Sequence, residues 1–140
     1  MNSETAEQAR SEEMSVEEIS SKGSQSSQEA FTFLREQLRA LQNVEETVEY
    51  EPLKECEAPS YNVNGTPRVR LFFGEKLEIF LFIPERSAQS IKADESIPQA
   101  LRDWIDRAQR GGMSRLLRVQ LASRKDAETL LPLVLAVVKS

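Results

Sequence analysis

The chain has 140 residues, of which 39% are hydrophobic and 29% charged, and its formal net charge is −5 at pH 7. This length predicts a single domain. One cysteine and no histidine exclude an internal disulfide and every catalytic triad that needs histidine, and they argue against a closed zinc site.

The N-terminal residues 1–27 are rich in serine, glutamate and glutamine and contain few apolar side chains. Such a segment cannot bury enough surface to offset the entropy that it loses on folding. We therefore expect a disordered acidic tail over 1–27, in which a short helix near residues 15–20 remains possible, and one folded domain over 28–140. The segment lacks the apolar stretch of a secretory signal, and the longest apolar run, 130–138, is too short to cross a bilayer. These features predict a cytoplasmic protein that does not contact membranes.

A helix and a strand are predicted at the start of the folded part. Apolar residues recur there at steps of three and four, which is typical of one helical face and predicts a helix over 26–43. The stripe comprises Phe31, Leu34, Leu38 and Leu41. Ser26 and Glu29 have the spacing of a capping box. Residues 44–51 then alternate between apolar and polar, which predicts a strand that ends at Pro52.

Residues 58–83 predict a block of paired strands. Asn64-Gly65 is the preferred pair for a type I′ hairpin turn, in which both central residues need a positive φ. Alternating apolar residues lie on both sides of this turn, and a second reversal is expected at Gly74-Glu75.

The C-terminal part predicts a polar loop over 85–96, a helix over 97–110 followed by Gly111-Gly112, and a strand over 115–122. A last helix runs to Lys139, with Ser123 and Asp126 at capping-box spacing. The predicted order is α-β-β-β-β-α-β-α. This corresponds to an α+β domain with a mainly antiparallel sheet of about five strands packed with three helices.

The stretch 59–67 resembles the YdhG-like family of small bacterial domains, also catalogued as DUF1801, and the related DUF5655 group. The matching residues are Pro59, Ser60, Tyr61, Val63, Asn64, Gly65 and Pro67. Thr66 stands where the family commonly has lysine, and the lysine-histidine pair of many members is absent. The resemblance covers roughly residues 29–139 and implies a fold. It also implies two functions, because some YdhG-like members are proposed to be frataxin-like iron chaperones and DUF5655 domains occur beside nucleic-acid-processing modules.

One face of the predicted sheet combines arginine with phenylalanine. Its residues are Arg68, Arg70, Phe72, Phe80, Phe82 and Arg118. Such side chains are enriched where proteins bind one another, and they also stack on bases. If a helix covers this face, the phenylalanines belong to a second core, and both interpretations remain open.

The charge is unevenly distributed along the chain. Residues 1–60 carry 14 acidic and five basic side chains, whereas residues 61–140 carry nine acidic and 13 basic ones. The acidic half argues against general nucleic-acid binding.

A glutamate cluster is the candidate metal site. It comprises Glu45, Glu46, Glu49, Glu51, Glu55 and Glu57, of which the first four are the best placed. Carboxylates could hold iron weakly, although a solvated strand edge is the simpler explanation.

No phosphate-binding loop or catalytic constellation is present. The sequence therefore predicts a non-enzymatic domain without a cofactor, which contacts a protein or other macromolecule through the sheet face or the loop at 85–96. An iron-binding protein and a nucleic-acid-associated accessory domain are the alternatives, and an enzyme that uses carboxylates alone ranks last.

Overall fold

The computed structural model of the chain describes residues 15–140 and contains one sheet. Its strands are β1 (Glu45–Glu51), β2 (Cys56–Val63), β3 (Thr66–Phe72), β4 (Leu77–Pro84), β5 (Gln109–Gly111) and β6 (Ser114–Leu121). They lie in the order β1-β2-β3-β4-β6-β5, and every neighbouring pair is antiparallel. The predicted α+β class with an antiparallel sheet is confirmed, but the sheet has six strands rather than about five.

Helices lie on one side of this sheet. Within the described residues they are α1 (Val16–Ser20), α2 (Gln25–Arg39), α3 (Glu85–Ala93), α4 (Gln99–Asp103) and α5 (Arg124–Lys139), with a 3-10 turn at Trp104–Arg107. There are thus five α-helices where three were predicted, and the predicted element order is wrong. The long helices α2 and α5 contact each other and bury their apolar stripes in the main core against the inner face of the sheet.

The ends of α2 and α5 follow from side-chain capping. The Ser24 hydroxyl accepts a hydrogen bond from the Ser27 amide at 3.1 Å, so α2 starts earlier than the predicted Ser26. Helix α2 ends at Arg39 rather than at Asn43, whose side-chain amide instead donates to the Val138 carbonyl in α5 at 3.0 Å. The predicted cap of α5 is confirmed, because Ser123 accepts from the Asp126 amide.

The hairpin between β2 and β3 is the turn that the sequence predicts. Asn64 has φ 53° and Gly65 has φ 76°, as a type I′ turn requires. The pairing then shifts by one residue between Tyr61 and Asn62, which leaves Arg68 as the extra residue of a β-bulge on β3.

Residues 85–111 differ most from the prediction. The predicted loop over 85–96 contains α3, whose only buried residues are Ala88 and Ile91, so its pattern is too sparse to signal a helix. The predicted helix over 97–110 is divided into α4, the 3-10 turn and β5. Its apolar spacing suits a helix, but Ala108 is extended and Gln109 pairs with Leu116 at the edge of the sheet. Gly112 does not terminate a helix but begins the β5–β6 turn with φ 65°.

Part of the predicted tail is folded. Residues 1–14 lie outside the described residues, but residues 15–27 contain α1 and the start of α2. The Ser15 hydroxyl caps α1 by accepting from the Glu18 amide at 3.1 Å. Val16 and Ile19 are buried, because their three-residue spacing places both on the side of α1 that faces the protein. The possible helix near residues 15–20 is therefore present, and α2 begins at Gln25, within the range predicted as tail.

Candidate functional site

The outer face of the sheet carries a row of phenylalanines. The ring centroids of Phe72 and Phe80 are 4.5 Å apart, and those of Phe80 and Phe82 are 6.2 Å apart. Phe72 and Phe80 are buried and Phe82 is half-buried. The small cluster around these rings, which also contains Ala58 and Leu116, receives no residue from any helix in the described part of the chain. We call this side of the sheet the helix-free face.

Long cationic side chains cover the phenylalanine row. The Lys54 ammonium lies 5.7 Å from the Phe72 ring centre. The Arg70 guanidinium carbon lies 5.7 Å from the centre of Phe82, and that of Arg118 lies 4.9 Å from the centre of Phe80. These are cation–π distances. The rings are therefore shielded by charged side chains instead of by a helix, so the second core and the charged surface are the same feature.

The cations differ in how firmly they are held. Arg70 donates to Glu51 at 3.0 Å and to the Ser60 hydroxyl at 3.1 Å, and its side chain is 14% exposed. The Arg118 side chain is 47% exposed and reaches Glu78 only at 3.5 Å. Arg70 is thus fixed within the protein, whereas Arg118 can turn toward a ligand.

Five of the six predicted face residues lie together on the helix-free face, and Arg68 lies at one end of it. Arg68 contributes to the lining of a cavity there, together with Phe82. Only 5% of Arg68 is exposed, so it is not part of the open cationic surface.

The glutamates of β1 point to opposite sides of the sheet. Glu46 lies on the helix side, where its carboxylate accepts hydrogen bonds from Arg35 at 2.8 and 2.9 Å and from the Tyr61 hydroxyl at 2.7 Å. Glu51 lies on the helix-free face and pairs with Arg70. Strand alternation places Glu45 and Glu49 on the same side as Glu51. Residues 15–140 contain no cluster of three or more carboxylate, cysteine or histidine side chains with metal-binding geometry.

One edge of the sheet is open, and this edge is not among the features predicted from the sequence. Strand β5 pairs with β6 only from Ser114 to Leu116, so the rest of β6 has no neighbour on that side within the described residues. Gly111 and Ser114 close a two-residue hairpin and therefore form a hydrogen-bonded pair. From Ser114 onward, every second residue of β6 directs its backbone N–H and C=O groups toward the β5 side. The backbone N–H and C=O groups of Arg118 and Gln120 therefore face the open edge.

A groove of about 590 Å³ runs along this open edge. We call it the β6 groove. Its lining comprises Trp104, Arg107, Gln109, Leu116, Leu117, Arg118, Val119 and Gln120. Five consecutive residues of β6 contribute to it, as expected when the edge of a strand, rather than one of its faces, borders a groove. Two arginines and no carboxylate lie in this lining.

No family model matches the chain, and neither a curated protein nor a solved structure matches it. The resemblance to the YdhG-like family thus remains a prediction from the residues at 59–67.

The signal for the β6 groove was present in the sequence. Gly111-Gly112 is predicted to follow the end of a helix, although Gly112 also suits the first central position of a type II′ hairpin turn closed by Gly111 and Ser114. That alternative would have placed the short polar stretch 109–111 beside β6 and exposed the remainder of the strand.

No helix within residues 15–140 has both the length and the apolar character needed to cross a membrane.

Proposed function

We propose that this protein is a peptide-binding domain that accepts an extended acidic segment of a protein partner along the open edge of β6. The single observation that carries the proposal is the unpaired edge of β6 beyond Leu116 in the described part of the chain. An extended peptide that pairs with such an edge gains main-chain hydrogen bonds, and pockets for its alternate side chains supply specificity.

The two edges of the sheet differ in charge, which supports the proposal. The opposite edge is β1, where Glu45 and Glu49 repel another strand and discourage association, as in many natural edge strands. The lining of the β6 groove contains no carboxylate and presents Arg107 and Arg118 instead. A partner strand with acidic side chains is the complement of this lining.

A protein segment fits better than nucleic acid. The chain has a net charge of −5, and β1 adds glutamates on the same face as the phenylalanine row. Phosphate binding needs many uncompensated cations, but Glu51 pairs with Arg70, and Glu78 pairs with Lys54 and also reaches Arg118 at 3.5 Å. A short acidic peptide needs only the few exposed cations of the β6 groove.

The lowered pKa values of two carboxyl groups support binding rather than catalysis. Burial alone would raise the pKa of Glu46, but hydrogen bonds from Arg35 and Tyr61 and the charge of Arg35 together lower it. The hydrogen bond from Arg115 lowers the pKa of Glu85. A carboxyl that acts as a general acid near neutral pH needs a raised pKa instead.

Iron binding is not favoured by the positions of the glutamates. Of the four candidates, Glu46 lies on one side of the sheet, and Glu51 is paired with Arg70 on the other. Glu45 and Glu49 share the side of Glu51, but these carboxylates do not form a metal-binding group of three within residues 15–140.

Hydrogen exchange tests the proposal. The probe is a short peptide of alternating glutamate and valine, and a lysine–valine peptide of equal length is the charge control. We expect the acidic peptide alone to slow exchange at the Arg118 and Gln120 amides by about tenfold or more, because these amides gain hydrogen-bond partners.

A pair of variants completes this experiment. Arg118→Glu should weaken binding of the acidic peptide by about tenfold, corresponding to about 1.4 kcal/mol. Arg124→Glu is the matched control, because Arg124 is equally cationic and 63% exposed but lies on α5. Amides that are already protected in the free protein would contradict the proposal. Protection that rises with protein concentration alone would identify a second copy as the occupant and would also overturn it.

A further inference from the structure

A cavity of about 670 Å³ lies at the end of the helix-free face, where β4 passes into α3. We call it the β4–α3 cavity. Its lining comprises Val63, Asn64, Thr66, Pro67, Arg68, Phe82, Pro84, Glu85, Arg86, Gly112, Met113 and Ser114. The volume falls within the usual range for small-molecule sites. The β6 groove and this cavity have no lining residue in common.

Arg68 is a buried cation without a partner in this cavity. It is 5% exposed, and its Nε atom has no hydrogen-bond partner. None of the ion pairs formed within residues 15–140 includes Arg68. Burial and the nearby charge of Arg86 lower the pKa of Arg68. A buried charge is unfavourable unless something compensates it, and nothing in the described chain does so.

The one carboxylate in the cavity lining is already neutralised. Both oxygens of Glu85 accept hydrogen bonds from Arg115, at 2.9 and 2.8 Å. Arg115 is 1% exposed and also donates to the Ile105 carbonyl at 3.2 Å. Glu85 therefore cannot serve Arg68, and the cavity keeps the positive charge of Arg68 and Arg86.

The first turn of α3 adds a second attraction for an anion. Helix α3 is nine residues long, and Pro84 at its N-cap supplies no side-chain hydrogen bond. The Glu85 amide donates to the Met113 carbonyl at 2.8 Å. The next amides of the turn have no carbonyl within the helix to bond to, and the helix dipole is positive at this end.

We propose that the β4–α3 cavity binds a small organic anion, whose phosphate or carboxylate group pairs with Arg68 beside the first turn of α3. Its apolar body contacts Phe82, Pro84 and Met113. The bulge on β3 brings Arg68 into the cavity, and the bound anion supplies the partner that the folded chain lacks. The inference is independent of peptide binding at the β6 groove.

Side-chain NMR of the full chain tests this inference directly. Phenyl phosphate, benzoate and inorganic phosphate are titrated separately while the arginine Nε–H signals are recorded. We expect a saturable shift of the Arg68 signal, because its Nε–H gains an acceptor. The Arg70 signal should not move, since Ser60 already accepts from its Nε. A stronger effect of phenyl phosphate than of benzoate identifies a phosphate ligand, and the reverse identifies a carboxylate.

Arg68→Met is the matching variant, because methionine keeps an unbranched apolar stem. We expect at least about tenfold weaker anion binding and a melting temperature no lower than that of the parent, since an unpaired buried charge is removed. Anion binding should persist in Arg118→Glu, which separates this inference from the peptide proposal. If no probe shifts the Arg68 Nε–H signal of the parent protein, the inference is wrong, whether or not the variant folds.

Discussion

The Glu46 carboxylate on β1 joins the sheet to α2, because it accepts hydrogen bonds both from Tyr61 on β2 and from Arg35 on α2. The Tyr61 hydroxyl donates to Glu46 at 2.7 Å, and Arg35 of α2 donates to the same carboxylate. Burial, with the hydrogen bond to Glu46 and its negative charge, raises the pKa of Tyr61. A raised pKa in the folded state means that this stabilisation is complete below the ordinary pKa of 10 and declines as the pH rises above it.

Tyr61→Phe should therefore lower the free energy of unfolding by about 1 kcal/mol at pH 7, because one net hydrogen bond is lost. Above pH 10 the parent loses stability through Tyr61 but the variant does not, so the difference between them should narrow. Urea unfolding at a series of pH values measures this. Tyr50→Phe is the control, since Tyr50 is 55% exposed. Parallel stability curves for parent and Tyr61→Phe would contradict the prediction.

The sequence identified the residues of the helix-free face but not their individual roles. Arg68 and Arg70 have the same place in the alternating pattern of β3, so periodicity assigns both to one surface. The bulge next to Tyr61 separates them: Arg70 meets Glu51 and Ser60, whereas Arg68 enters a cavity. A bulge is decided by how two strands pair, and no local residue preference in β3 indicates it.

At the scale of elements, the turns and caps that depend on neighbouring residues are predicted correctly, whereas the elements that depend on tertiary packing are not. The Asn64-Gly65 turn and the Ser123 cap depend on neighbouring residues, and both are confirmed. Helices α1 and α3 were missed or left open because each buries only two residues, and their stability comes from the surfaces on which they pack. Strand β5 is also absent from the prediction, because it consists of three exposed residues paired with β6 and the glycine turn that could indicate it also suits the end of a helix.

Helix α1 provides a test of this argument. Ile19→Ala should lower the free energy of unfolding by about 2 kcal/mol, because a buried branched side chain is removed from beside the core. Glu18→Ala, on the exposed side of the same helix, should change it by less than about 0.5 kcal/mol. Urea unfolding of the two variants gives both values. Equal effects would mean that α1 does not pack as described.

At the scale of the whole molecule, the sheet separates two cores of unequal size. The main core lies under the helices, and the small core on the helix-free face consists of Ala58, Phe72 and Phe80 with Phe82 and Leu116 at its margin. The sequence predicted this phenylalanine face and left open whether it is core or recognition surface. It is buried by cations rather than by helices, an arrangement that depends on Lys54, Arg70 and Arg118 converging from three different segments.

Phe80→Ala should therefore destabilise the whole domain by about 3–5 kcal/mol, as expected for a fully buried ring. Phe82→Ala should have a clearly smaller effect, because Phe82 is only half-buried. The midpoints of urea unfolding, with unchanged slopes, would report the difference. A small loss in Phe80→Ala would show that the outer rings contribute little to folding and serve mainly as surface.

The open side of β6 also determines the form of any motif that it would recognise. Consecutive side chains of an added strand point to opposite sides of the sheet. One alternate set would lie beside Arg118, and the other would lie on the side of Trp104. A ligand chosen by this edge would thus carry acidic residues at every second position, with bulky apolar residues between them. A peptide with a continuous run of acidic residues would place half of its charges against the indole ring of Trp104.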